Sequence, residues 1–120
     1  MDLSASTPRL RREQVAGMNI HYIMWSLDYF LDAQQRLGFK TIELWAAEPH
    51  VTLDHTGYFE ADELRRKIES RGLSVSSLCP ENVVYPWQYA ARKPLHAQRS
   101  LAYFKHGIEL AEVLGAPYMS

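Results

Sequence analysis

Residues Leu37–Leu44 read LGFKTIEL, and this short stretch contains the pattern from which the fold is inferred. A helical segment ends at a glycine, and an apolar run typical of a strand follows at once. The same order recurs at Arg71–Leu78, which reads RGLSVSSL, and at Leu114–Met119, which reads LGAPYM. The three glycines lie 34 and 43 residues apart, the length of one strand–helix unit with a variable loop. Repeated units of this kind predict parallel strands covered by helices.

Hydrophobic periodicity and capping residues place the elements around these three junctions. In chain order we predict a strand at Val15–Tyr22, a helix capped by Ser26 and ending at Leu37, a strand at Lys40–Trp45, a helix at Asp62–Ser70, a strand at Leu73–Leu78, a helix at Pro94–Leu114 and the start of a fourth strand at Pro117–Ser120. The expected apolar stripes are Leu27, Phe30, Ala33 and Leu37 on the first helix, and Leu101, Phe104, Ile108, Ala111 and Leu114 on the third. These elements fit either a doubly wound sheet or a βα-barrel.

The 120 residues would fill part of a barrel, since a complete one has eight strands and about 250 residues. Residues 14–120 are therefore expected to form the N-terminal part of a longer α/β protein, with a complete small α/β domain as the alternative. Residues 1–13 are polar, arginine-rich and without clear periodicity. They are predicted to be a flexible leader.

The composition restricts the classes of function. With 13 basic and 14 acidic residues the net charge is -1, which does not favour a nucleic-acid binder that works by charge. The single cysteine, Cys79, cannot form an internal disulfide. No apolar run approaches the roughly 18–20 residues that span a bilayer, and the N-terminus lacks the apolar segment of a signal peptide. We therefore expect a cytoplasmic protein that binds neither nucleic acid nor membrane.

Ligands of parallel α/β folds bind at the carboxyl ends of the strands. At those ends the sequence places a group of polar and aromatic residues: His21, Tyr22, Trp25, Glu43, Trp45, Glu48, His50, Cys79, Glu81, Asn82, Tyr85 and Trp87. Glu43 stands between Ile42 and Leu44, so alternation points it to the opposite face of its strand. It could accept hydrogen bonds from a sugar hydroxyl, steer a metal ligand, or simply pair with a cation. His50 could bind substrate or metal, or be solvated.

Three motifs carry a family resemblance. They are GFKTIELW at residues 38–45, EPH at residues 48–50, and CPEN at residues 79–82 followed by Tyr85-Pro86. In this order they resemble the sugar-phosphate isomerase/epimerase family of xylose-isomerase-like TIM barrels, and within it the fructoselysine 3-epimerases. The resemblance covers roughly residues 17–120. It implies that residues 14–120 are the N-terminal half of a (β/α)8 TIM barrel.

The resemblance also implies a chemistry. Members of the family use a divalent metal, such as manganese, cobalt or zinc, and a pair of glutamates that move a proton through an enediolate. The family takes these groups from strands five to eight, so it implies no catalytic or metal-binding residue in this chain, which alone should be inactive. It implies instead a substrate-binding wall for a sugar or sugar-amine, formed by Glu43, Trp45, His50, Glu81 and Tyr85. A homo-oligomer is expected for the full-length protein.

Other functions stay open on the same fold. One is an endonuclease IV-like phosphodiesterase, against which the net charge and the acidic Glu48 and Glu81 argue. Another is a non-catalytic half-barrel that only binds a ligand. A third is a dehydratase or a hydroxypyruvate isomerase of the same superfamily, which this half of the chain does not distinguish from an epimerase.

Overall fold

The computed structural model describes residues 10–82 and 87–120. Its strands are Gly17–Met18 (β1), Thr41–Ala46 (β2), Leu53–Asp54 (β3), Gly57–Tyr58 (β4) and Ser74–Pro80 (β5), and its helices are Leu27–Leu37 (α1), Ala61–Glu69 (α2) and Pro94–Leu114 (α3). β1, β2 and β5 form a parallel sheet in that order, while β3 and β4 form an antiparallel hairpin. An isolated parallel bridge joins Met119 to Leu78, so the segment after α3 runs beside β5. The predicted α/β class with parallel strands is confirmed.

The parallel sheet has one face toward the helices and one face away from them. Gly17 of β1 lies against Gln34 of α1 and pairs with Ile42 of β2, which places these residues on the helix-covered face. A core on that face joins all three helices to the sheet through Phe30, Leu31, Ile42, Leu44, Leu64, Ile68, Val75, Leu78 and Leu110. Because side chains alternate along a strand, the residues between them point to the other face.

The helix caps and the glycines at the three junctions adopt the backbone conformations that the sequence indicates. Ser26 caps α1, its Oγ accepting a hydrogen bond from the Tyr29 amide at 3.1 Å. The helix ends at Gly38, whose φ of 76° is left-handed. Gly72 and Gly115 take φ values of 67° and 68° after α2 and α3. The order helix, left-handed glycine and strand is therefore seen at the first two junctions, and after Gly115 the chain makes the single bridge at Met119.

The predicted buried faces of two helices are partly wrong. On α1, Leu37 is exposed and Leu31 and Gln34 are buried instead. On α3, Leu101 is 53% exposed and Ile108 is 49% exposed. Phe104 is likewise exposed. The buried residues of α3 are Ser100, Tyr103, Gly107, Leu110, Ala111 and Leu114.

The face that α3 buries is decided by close packing. A Cβ added at Gly107 would lie 3.1 Å from Cγ of Pro80, closer than most Cβ contacts, so a glycine suits this close approach. Ser100 is also small and fully buried. The helix therefore turns its small-residue side to the end of β5 and leaves the bulkier stripe in solvent, because backbone proximity outweighs the burial of three larger side chains.

Two predicted segments differ in their secondary structure. The first strand was expected at Val15–Tyr22, but β1 has two residues and a 3-10 helix follows at Asn19–Tyr22. The segment between β2 and α2, in which the sequence predicts no helix or strand, contains the β3–β4 hairpin, with Leu53 buried. No helix in the described part of the chain is long and apolar enough to cross a membrane.

The predicted leader falls partly outside the described residues, since 1–9 are not described. Its last residues belong to a 3-10 helix at Arg12–Gln14. Nη1 of Arg12 donates a hydrogen bond to the carbonyl of Leu37 at 2.8 Å, which holds this turn against the end of α1. The domain boundary at residue 14 stays a prediction.

The Gly17→Ala variant should be less stable than the wild type. A Cβ at this position would overlap the side-chain amide of Gln34, which is buried and would have to shift among its packed neighbours. Overpacking of this kind costs about 1–3 kcal/mol, measured as a loss of unfolding free energy in urea. The double variant Gly17→Ala, Gln34→Ala should recover part of this lost unfolding free energy. If its loss equalled the sum of the losses in the two single variants, the contact between Gly17 and Gln34 would be contradicted.

Candidate functional site

The candidate site is the face of the sheet that the helices do not cover. Glu43 of β2 lies there in register with Met18 of β1 and Ser77 of β5. A bulge in the register next to Glu43 displaces Ser76, whose Oγ donates to the Ile42 carbonyl at 3.0 Å. Glu43 is half-buried, and among the described residues its carboxylate has no hydrogen-bond or ion-pair partner. A carboxylate in this position can accept hydrogen bonds from a ligand.

Trp45 and Glu81 meet at the carboxyl ends of β2 and β5. Trp45 is two residues beyond Glu43 on the same face and pairs with Cys79. Its indole Nε1 donates to Oε2 of Glu81 at 2.8 Å. Both residues are buried, and a hydrogen bond to a charged carboxylate is among the stronger ones. Trp45 and Glu81, both predicted for the substrate wall, are therefore in contact, and the Glu81 carboxylate fixes the edge of the Trp45 indole.

Tyr103 supports Glu81 from the helix side, and sequence reasoning missed it. Its hydroxyl accepts a hydrogen bond from the backbone N–H of Glu81 at 2.7 Å. The phenol ring stacks on Trp87, with the ring centroids 4.1 Å apart and the planes 10° from parallel. The sequence contained a signal in the i, i+4 and i+7 spacing of Tyr103, Gly107 and Leu110, but a more apolar stripe runs beside it.

Asn19 is a second residue of the site that sequence reasoning missed. It is fully buried and follows directly after β1. Its Oδ1 accepts from the Trp45 N–H at 2.7 Å, and its Nδ2 donates to the Trp45 carbonyl at 3.0 Å. The side-chain amide takes the place of a peptide group in the ladder between the strands, which explains why β1 ends two residues after it begins. A polar residue inside a predicted strand, between Met18 and Ile20, was the available signal.

His50 lies in the loop after β2 and bonds to two other elements. Its Nδ1 is 3.0 Å from Nδ2 of Asn19, and its Nε2 is 2.8 Å from the carbonyl oxygen of Trp25. A ligand could bond to His50 only in exchange for one of these contacts. Tyr85, the fifth residue predicted for the substrate wall, lies outside the described residues. The structure thus brings Trp45 close to Glu81 and connects His50 to Trp45 through Asn19.

The described residues do not form a metal site by themselves. No group of three or more histidine, cysteine, aspartate or glutamate side chains comes together within residues 10–82 and 87–120. Glu43 is one carboxylate beside Ser77, and the Glu81 carboxylate accepts the Trp45 indole. Divalent metals of the kind expected here need several oxygen or nitrogen ligands. No chemical step is therefore assigned to a metal held by these residues.

The fold and the site define a class of protein. A parallel sheet is covered by helices on one face and carries acidic, hydroxyl and aromatic side chains on the other, which is the arrangement of a βα-barrel wall. A family model described as a xylose isomerase-like TIM barrel matches residues 31–120. The chain belongs to the xylose isomerase-like TIM barrel family. No curated protein and no solved structure gives a significant match.

Tyr103 should make the stability of the protein sensitive to alkaline pH. Burial raises the pKa of its phenol above the ordinary value of 10.0. Above that pH the unfolded chain ionises this tyrosine while the folded protein keeps it neutral, so its contribution is complete below pH 10 and falls as the pH rises. The unfolding free energy in urea should fall more steeply between pH 10 and about 12 in the wild type than in Tyr103→Phe. Parallel curves would contradict the burial of the phenol.

Proposed function

We propose that this chain provides the substrate-binding wall of a metal-dependent sugar isomerase or epimerase. The observation that carries the proposal is Glu43, a half-buried carboxylate on the uncovered sheet face with no partner among the described residues. Ser77 lies beside it in the sheet register. A carboxylate and a hydroxyl side by side match the alternating hydroxyl groups of a sugar, since one accepts hydrogen bonds and the other both donates and accepts.

The charge of the wall favours one kind of substrate. Glu43 would attract the protonated amine of a sugar-amine and would repel the phosphate of a sugar phosphate. Fructoselysine, or a related ketose that carries an amine, is therefore the substrate we propose. The support for fructoselysine itself is the resemblance of two motifs, IELW at residues 42–45 followed by Pro49-His50, and Pro80-Glu81 followed by Tyr85-Pro86.

In the proposed reaction the wall binds and orients, and other groups transfer the proton. The carbon next to the substrate carbonyl loses its proton to give an enediolate, which is then reprotonated. A divalent manganese, cobalt or zinc ion would stabilise the developing oxyanion, with ligands from outside the described residues. The contribution of this chain is to fix the position of the sugar, and fixed geometry is itself a large part of catalysis.

The experiment is an exchange assay in deuterated water with the full-length protein and added manganese or cobalt. An enediolate reaction on fructoselysine, ketoses or ketose phosphates should incorporate deuterium at the carbon next to the carbonyl, seen by proton NMR. Fructosamines should exchange faster than ketose phosphates. Cleavage of abasic-site DNA without exchange would favour the endonuclease IV-like function. Sugar binding without exchange would favour a non-catalytic binding module.

A further inference from the structure

We infer that Asn19 is a positioning residue that fixes the tautomer of His50 and thereby joins the loops after β1 and β2. Its amide has one possible orientation, because the backbone of Trp45 presents one donor and one acceptor. The Trp45 N–H donates to Oδ1 at 2.7 Å and the Trp45 carbonyl accepts from Nδ2 at 3.0 Å. A flip of the amide would place donor against donor and acceptor against acceptor, in a fully buried position where lost hydrogen bonds are costly.

The orientation of Asn19 decides where His50 carries its proton. The second N–H of the Asn19 amide points at Nδ1 of His50, 3.0 Å away. An amide nitrogen only donates, so Nδ1 must accept and carries no hydrogen. Nε2 then carries the hydrogen and donates it to the carbonyl of Trp25 at 2.8 Å. His50 is therefore the neutral Nε2–H tautomer, with both ring nitrogens in use.

The result is a chain of hydrogen bonds across the carboxyl edge of the sheet. It runs from the Trp45 backbone through Asn19 and His50 to the backbone of Trp25. The Trp25 ring is half exposed and stacks on Tyr29, with planes 19° from parallel. His50 thus acts through its hydrogen bond to the Trp25 carbonyl, and its role at the carboxyl edge of the sheet is to position the loop that contains Trp25.

The test is nitrogen-15 NMR of the His50 ring near neutral pH. In the wild type, Nδ1 should resonate as an unprotonated nitrogen and Nε2 as a protonated one. In Asn19→Asp the carboxylate cannot donate, so Nδ1 should gain a proton and the ring should become an imidazolium. Asn82→Asp is the matched control, since Asn82 is exposed and its Oδ1 accepts from Tyr89. It should leave His50 unchanged.

Amide exchange at Trp45 provides a second readout. Asn19→Asp keeps an acceptor for the Trp45 N–H, whereas Asn19→Leu removes it. Exchange should therefore be roughly tenfold faster in Asn19→Leu than in Asn19→Asp. A wild-type His50 protonated at Nδ1 would overturn the inference even if neither variant folds. So would an Asn19→Asp ring that keeps the wild-type protonation while the carbon-13 shift of the new carboxyl group shows it to be ionised.

The consequence for activity rests on the proposed function. Misplacement of the Trp25 loop in Asn19→Asp should lower kcat/KM roughly tenfold to a hundredfold, since small displacements near a bound substrate have large effects. An inactive wild-type enzyme would refute the proposed function and leave the NMR result standing. An Asn19→Asp enzyme with altered His50 protonation and wild-type kcat/KM would overturn the positioning role alone.

Discussion

Replacement of Tyr103 by alanine should lower the free energy of unfolding by about 3–5 kcal/mol, the range for loss of a large buried aromatic ring. Tyr103 is 1% exposed and stacks on Trp87. Its hydroxyl also accepts a hydrogen bond from the Glu81 N–H. In the variant this N–H loses its partner. Because small domains are stable by only about 5–15 kcal/mol, this loss should be visible as a large shift of the urea midpoint in tryptophan fluorescence.

Two controls separate the contributions of Tyr103. Tyr103→Phe keeps the ring on Trp87 and removes only the acceptor, which should cost about 1–3 kcal/mol. Tyr118→Ala removes the same side chain from a site that is 73% exposed, and surface changes are usually within about 0.5 kcal/mol. If Tyr103→Ala proved no more destabilising than Tyr118→Ala, the packing of α3 against β5 would be wrong.

The parts of the fold that depend on local chemistry could be predicted from the sequence. Ser26, Gly38, Gly72 and Gly115 act through their own backbone and the nearest helical turn. Pro94 at the start of α3 is similar, because its fixed φ suits a first helical turn. These residues marked the helix ends correctly without any knowledge of the rest of the molecule.

The orientation of α3 could not be predicted in this way. Its sequence has two stripes at helical spacing, and hydrophobicity alone favours the one with Leu101, Phe104 and Ile108. The helix buries the other stripe because Gly107 meets Pro80, a residue 27 positions earlier in the chain. The choice depends on a contact between distant segments, which periodicity does not contain.

The candidate site was predicted in part for the same reason. Strand alternation predicts Glu43 on the face opposite Ile42 and Leu44, and in the structure those two side chains lie in the core while Glu43 is half-buried. The contact between Trp45 and Glu81 joins residues 36 apart in the chain, and the bonds from Asn19 to Trp45 join residues 26 apart. A carboxyl-edge rule brings such residues to one edge of a sheet, but it does not say which side chains bond to one another.

With the proposed function, Glu43→Gln should lower the kcat/KM of the full-length protein tenfold to a hundredfold. The substitution keeps the size of the side chain but removes its charge, and a hydrogen bond to a charged partner contributes roughly 1.5–3 kcal/mol. At about 1.4 kcal/mol per tenfold, this corresponds to the stated range. Because Glu43 is proposed to hold the substrate and not to move the proton, KM should rise more than kcat falls. The measurement is steady-state kinetics with a fructosamine and with an unsubstituted ketose.

The comparison of the two substrates tests the assigned role of the charge. If Glu43 faces a protonated amine, the substitution should lower kcat/KM more for the fructosamine than for the unsubstituted ketose. Only the fructosamine has a cation that can pair with the carboxylate. Glu112→Gln is the matched control, because Glu112 is an exposed glutamate of α3, a helix that packs on the opposite face of the sheet. It should leave both substrates unaffected. A Glu43→Gln enzyme with no turnover and an unchanged KM would make Glu43 a catalytic group, which would overturn its assignment to the substrate wall.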